Sequence, residues 1–213
     1  MGACDRGLSA VGGTLKLLRS GCLLALLSAL SLNGCVAQAV LENDVRSAQW
    51  KARTLSTAAD PSLAYAALSA QLVELEALYQ RDPSDERVRG LLDHGYRLMA
   101  HGFIELRYLE ALGAGDSGRA EQEKQWREDA DGRARYYRGQ RAAGSASSPL
   151  AVESDFAEPV AACAHHDRPT FEARLNALLA AREKTPEGRL ERALSRRLAS
   201  AWLLPNVAAH CDF

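Results

Sequence analysis

Residues 85–113 read DERVRGLLDHGYRLMAHGFIELRYLEALG. Val88, Leu91, Leu92, Gly95, Leu98, Met99, Gly102, Phe103, Leu106 and Leu109 recur at helical spacing and form one broad apolar face. The pattern predicts a long helix over 85–112, ended by Gly113-Ala114-Gly115-Asp116 with glycine at its C-cap. Upstream, Asp60-Pro61-Ser62 supplies an N-cap and a proline at the first helical position. Leu68, Leu72, Leu75 and Tyr79 then make a single stripe. Arg81-Asp82-Pro83-Ser84-Asp85 breaks that helix and caps the next, so Asp-Pro-Ser occurs twice, 22 residues apart.

Downstream, residues 117–141 are highly charged. Glu121, Glu123, Glu128 and Asp129 come early, and Arg133, Arg135, Arg138 and Arg141 come late. That order complements a helix dipole and predicts a helix. Its apolar side is thin: Ala120, Trp126, Ala130, Ala134 and Tyr137. Gly144-Ser145-Ala146-Ser147-Ser148-Pro149 reads as a linker. Residues 150–166 carry no clear pattern. Two amphipathic helices follow, one on Phe171, Leu175, Leu178 and Leu179, the other from Thr185-Pro186 on Leu190, Leu194, Leu198, Ala201 and Trp202. Short breaks between helices predict antiparallel neighbours. The expectation is an all-α chain of stacked helix hairpins, TPR-like, with a helical region at 44–143, a linker at 144–149 and a C-terminal helical hairpin at 150–213.

The amino terminus reads as an export signal. Lys16 and Arg19 precede an uncharged apolar run over 22–32, which ends in Leu32-Asn33-Gly34-Cys35. Such a run is too short to span a bilayer core of ~30 Å as a helix but fits a signal peptide. The final four residues resemble a bacterial lipobox, which implies a signal peptide at 1–34 and a lipidated Cys35. An ordinary secretory cleavage after Ala37 or Ala39 is the alternative. Val36 in place of aspartate implies, by resemblance to Gram-negative lipoprotein sorting, the periplasmic face of the outer membrane. Residues 35–43 then read as a tether, with several acyl chains holding the protein at a membrane.

The full chain has 213 residues with 26 Lys plus Arg against 27 Asp plus Glu. Loss of residues 1–34 removes Arg6, Lys16, Arg19 and Asp5, leaving 23 basic and 26 acidic side chains. No domain-wide positive field is available for nucleic acid.

Of the five cysteines, Cys163 and Cys211 remain once the signal is removed and Cys35 is acylated. In an oxidising compartment they are expected to pair as a disulfide. Cys163-Ala164-His165-His166-Asp167 with His210-Cys211-Asp212 would also supply ligands for tetrahedral zinc, although no CxxC or HxxxH spacing supports it. His94 and His101 are seven residues apart, ~10 Å along a helix axis, too far to share one ion. His94, His101, Glu105 and Tyr108 instead form a polar stripe: either a solvated helix edge or a lining beside an apolar cleft. Gly95 and Gly102 each cost ~1 kcal/mol in a helix interior. Close approach of a neighbouring helix, or a cleft floor, would compensate. There is no GxSxG, HExxH or phosphate-cradling glycine loop, so neither catalysis nor a cofactor is expected.

Residues 58–142 resemble the T-component (TatT-like) lipoproteins of TRAP transporter operons, a TPR-like helical family. Gly95-Tyr96-Arg97-Leu98-Met99-Ala100-His101-Gly102-Phe103-Ile104-Glu105 is similar to the family's aromatic and small-residue helix, and Ala134-Arg135-Tyr136-Tyr137 to its Arg- and Tyr-containing helix. Leu106 and Arg107 depart from the acidic residues that usually follow, and the likeness stops near Gly144. The resemblance implies a periplasmic lipoprotein that partners a TRAP solute-binding subunit and passes on a small ligand. Gly95, Tyr96, His101, Gly102, Phe103 and Glu105 are the expected binding residues. The alternatives are a scaffold lipoprotein of envelope assembly and a metal-binding periplasmic protein. A homo-oligomer is left open.

Overall fold

The computed structural model describes residues 38–140, 150–182 and 185–213. The expected signal peptide at 1–34, the lipidated Cys35 and the Gly144–Pro149 linker lie outside the described residues. The chain divides into two compact units, Met1–Asp44 and Val45–Phe213. In the first, residues 38–44 are helical, so helix begins inside the stretch read as a tether. All that follows concerns the second unit.

The described residues are all α. Residues 45–56 form α1. Then come α2 (Pro61–Arg81), α3 (Glu86–Leu98), a π-helical turn (Met99–Ile104) and α4 (Glu105–Gly113). The next four are α5 (Ser117–Gly139), α6 (Ala151–Ala164), α7 (Arg168–Ala180) and α8 (Arg189–Trp202), with the short α9 (Pro205–Ala208) last. None of these helices is long and apolar enough to cross a membrane.

Aspartates start four of the helices, α2, α3, α5 and α7. Asp60 accepts from the Ser62 amide at 2.8 Å, and Asp85 from Arg87 at 2.8 Å. Asp116 accepts from Arg119 at 3.0 Å, and Asp167 from Thr170 at 3.1 Å. Each satisfies an amide that has no partner within its own helix. The hydrogen bond with the Arg87 side chain holds the Asp85 carboxyl below its ordinary value. The first Asp-Pro-Ser caps α2. In the second, Asp82 accepts from Ser84 in the turn, and Asp85 caps α3. The end of α4 is set by Gly115, whose φ of +74° suits a residue without Cβ.

Consecutive helices joined by short turns lie side by side: α2 on α3, α4 on α5, α6 on α7 and α7 on α8. This supports the expected hairpin stacking. The C-terminal part holds three long helices where the sequence showed two, because residues 151–164 are also helical. Buried leucines join the layers, among them Leu72, Leu75, Leu92, Leu109, Leu175, Leu190, Leu194 and Leu198. Removing such a side chain from water contributes ~1.5–3 kcal/mol.

The polar α5 is held differently. Its arginines reach carboxylates on earlier helices: Arg138 to the buried Asp93 at 3.0 Å, Arg133 to Glu76 at 3.1 Å, and Arg127 to Glu105. Asp93 is 1% exposed, so its carboxyl oxygens must find their hydrogen bonds within the protein.

A two-walled candidate binding cleft

Beside the π-helical turn lies a cleft of about 700 Å³. One wall is polar. His101 comes from the π-turn, Glu105 and Tyr108 from α4, and Arg127, Glu128 and Asp131 from α5. The facing wall is apolar: Val152, Phe156, Ala157 and Val160 of α6 with Leu198 and Trp202 of α8. Glu153 of α6 joins the polar side. Val160, 49% exposed, and Ala157 form the open edge of this wall, while Val152, Phe156 and Leu198 are buried behind it.

The polar wall is knitted together. Arg127 pairs with Glu105, and its guanidinium lies 5.1 Å from the centre of the Tyr108 ring. Burial works against the Arg127 charge, but the Glu105 carboxylate outweighs it and holds the group above its ordinary value. His101 Nε2 lies 3.4 Å from Asp131 Oδ1 and 3.7 Å from Glu153 Oε1. Arg97 Nε donates to Glu153 Oε1 at 2.8 Å, and the Leu150 amide donates to Glu153 Oε2 at 3.1 Å. Burial alone would raise the Glu153 carboxyl. The Arg97 hydrogen bond and the Leu150 amide overcome that and hold it below its ordinary value.

Three of the four stripe residues therefore meet at this cleft. His94 is seven residues before His101 and borders a separate cavity of about 30 Å³ with Leu91, Gly95 and Leu190.

The six expected binding residues go to several places. His101 and Glu105 line the large cleft. A Cβ on Gly95 would stand 2.9 Å from Leu72 Cδ2, and one on Gly102 3.0 Å from Leu194 Cδ1. Both glycines thus admit leucines of neighbouring helices, the helix-approach reading of their cost. Tyr96 donates to Glu76 at 2.7 Å on the α2 side, and burial with that hydrogen bond pushes its phenol up to about 12. Phe103 lies against Tyr65, ring centres 5.6 Å apart. The dispersal follows from helical phase, since residues 95, 96, 102 and 103 project to sides that meet different neighbours.

The sequence reading missed Arg127, Asp131, Glu153, Phe156 and Val160. Arg127 and Asp131 are four apart on α5, a visible spacing, but nothing local says which helix they face. Residues 152–160 gave no signal because Pro159 stands inside α6 and because its buried positions include the small Ala162 beside Val152 and Phe156.

At the other cluster, Cys163 and Cys211 form a disulfide with Cα atoms 4.9 Å apart. His166, at a left-handed φ of 57°, places its Nδ1 2.8 Å from the Cys211 carbonyl oxygen. The His210 ring lies 2.8 Å from the Asn206 carbonyl, and His165 is exposed. Among the described residues no group of three or more His, Cys, Asp or Glu side chains is arranged to hold a metal ion.

Compared with known proteins, the chain matches no family model, no curated protein and no solved structure.

Proposed function

We propose that this chain is a lipid-anchored periplasmic binding module. Its cleft takes a small molecule with an apolar body and a hydrogen-bond-donating head. The observation that carries the reading is the pairing of walls across about 700 Å³. That volume lies within the range of small-molecule sites, which are mostly apolar with a few polar groups that fix orientation. The polar side offers the carboxylates of Glu105, Glu128, Asp131 and Glu153 with Arg127 and His101 among them. A donor head is the complement of such a wall, and the exposed Val160 edge is the complement of an apolar body.

The same proposal takes Cys35 as the acylated anchor. It also takes the resemblance to TRAP T-components as support for a role beside a solute-binding subunit.

Native mass spectrometry of protein extracted from envelopes tests the ligand. A retained small molecule, released on unfolding, supports the binding module. A bare protein mass points instead to a scaffold of the same fold without cargo. Mass analysis of the mature N-terminal peptide tests the anchor separately, and an unacylated terminus would remove it.

A further inference from the structure

A second cleft, of about 340 Å³, opens between the start of α2, α4, α5 and α8. It is distinct from the site described above, because Phe103, Leu106, Arg107 and Glu110 line it while His101, Glu105 and Tyr108 line the first. Three arginines from three helices converge here: Arg107 of α4, Arg119 of α5 and Arg197 of α8.

Arg107 is set in place from behind, and Arg119 lies at the limit of the same carboxylate's reach. Glu123 of α5 is only 4% exposed and lies 3.0 Å from Arg107 Nη2 and 4.0 Å from Arg119 Nε. Arg107 Nη1 donates to the Tyr65 hydroxyl at 3.1 Å, and the guanidinium lies 4.8 Å from the centre of that ring. The third, Arg197, is exposed and forms no ion pair or hydrogen bond among the described residues. One carboxylate behind and one at the rim, Glu110, leave three guanidiniums in excess of two counter-charges. Ser62, at the second position of α2, adds a hydroxyl at the edge.

Exposed arginines ordinarily spread apart, because like charges repel and each is well hydrated. Three brought together around a concavity, one of them without a carboxylate, form a receptor for an oxyanion. The guanidinium fork matches the geometry of phosphate oxygens and binds them in pairs. Phe103 and Leu106 supply an apolar floor against which the remainder of an organic phosphate can rest.

We infer that the Arg107–Arg119–Arg197 cleft binds a phosphate group, carried either by a soluble phosphate compound or by a phospholipid head. The inference stands on this cleft alone and does not depend on the first cleft or on the anchor.

The test uses the full chain as the cell produces it, purified in dodecyl maltoside and labelled with 15N at arginine. Inorganic phosphate is titrated in one arm, with sodium chloride at matched ionic strength as reference. Nanodiscs of phosphatidylcholine, with and without phosphatidylglycerol, are added in the other. The expected result is a saturable shift of the Arg119 and Arg197 Nε–H signals with phosphate but not chloride, and at least a tenfold weaker affinity in Arg197→Glu and Arg119→Glu. Both positions are exposed, and circular dichroism checks that the variants keep their helix content. A response to free phosphate only assigns a soluble ligand. A response only to nanodiscs with phosphatidylglycerol assigns a lipid head. Absence of a saturable response in both arms, or a response equal for chloride or unchanged by the two reversals, would overturn the inference.

Discussion

The π-turn and α4 on one side, and the Cys163–Cys211 corner on the other, both gather groups able to bind or react. They use them in opposite ways. His101, Glu105 and Tyr108 line an open gap opposite an apolar wall. Glu105 pairs with Arg127, and His101 lies near Asp131 and Glu153. The Tyr108 hydroxyl forms no hydrogen bond among the described residues, and the gap leaves room for a ligand. Cys163 and Cys211 consume each other, and His166 turns to the Cys211 carbonyl. Residue types alone do not separate these cases. What separates them is whether the partner lies within the cluster or across a space.

The comparison breaks most easily at the disulfide. Its residues are 48 apart, and in the chain-entropy model closing that loop contributes about 4 kcal/mol. Replacing both cysteines by serine should lower the melting temperature by about 10 °C, read by circular dichroism. Ligand retention below the new transition should be unchanged. If the double variant loses ligand without losing stability, the corner is no mere staple.

Glu153 sharpens the other side, because it both lines the cleft and supports Arg97, which is 5% exposed. Glu153→Gln removes the charge from that pair and should cost about 2 kcal/mol at neutral pH. Its carboxyl is held below the ordinary value of 4.5, so the folded state binds this proton less tightly than the unfolded chain does. The stability it contributes is therefore complete above that pH and is lost as pH falls through the folded value. Urea unfolding between about pH 6 and pH 3 should show a steeper acid loss in the wild type than in the variant. Parallel curves would mean that Arg97 does not depend on this carboxylate.

A smaller effect is expected on the apolar wall. Val160→Asp sets a charge on a side chain that is already 49% exposed, so folding should change by less than about 0.5 kcal/mol. Binding of the retained molecule should weaken at least tenfold, about 1.4 kcal/mol. Unchanged affinity, measured by titration into ligand-stripped protein, would place the ligand elsewhere.

How much of this was legible follows the same division. The stripe Leu68-Leu72-Leu75 and the run from Val88 to Leu109 announced α2 and the α3–π–α4 rod, because each buries a face against neighbours and needs a periodic apolar stripe to do so. Its widened turn at Met99–Ile104 was not legible, since nothing local marks where a fifth residue enters a turn. Helix α6 was hidden by Pro159 and a thin apolar side. The His101-Glu105-Tyr108 stripe could be read as one face of one helix. The wall opposite could not, because Phe156 and Val160 come from an element roughly fifty residues away along the chain, and only tertiary packing brings them across. The charge order along α5 assigns Arg133 and Arg138 to its own dipole, and both also pair with carboxylates of earlier helices, which no local pattern shows.

The smallest expected effect tests whether the corner is as self-contained as its geometry makes it. His165 and His210 are exposed, and the His210 ring already meets the Asn206 carbonyl. Changing both to alanine should move stability by no more than about 0.5 kcal/mol. Zinc added to the oxidised wild type should leave the melting temperature where it was. A ligand that binds only the folded state must raise that temperature, because a roughly hundredfold excess over its dissociation constant adds about 2.7 kcal/mol to the unfolding free energy. A zinc-dependent rise that vanishes in the double alanine variant would show that these imidazoles reach a common ion without the cysteine sulfurs. The corner would then belong with the open cleft, as a place whose groups wait for a partner from outside.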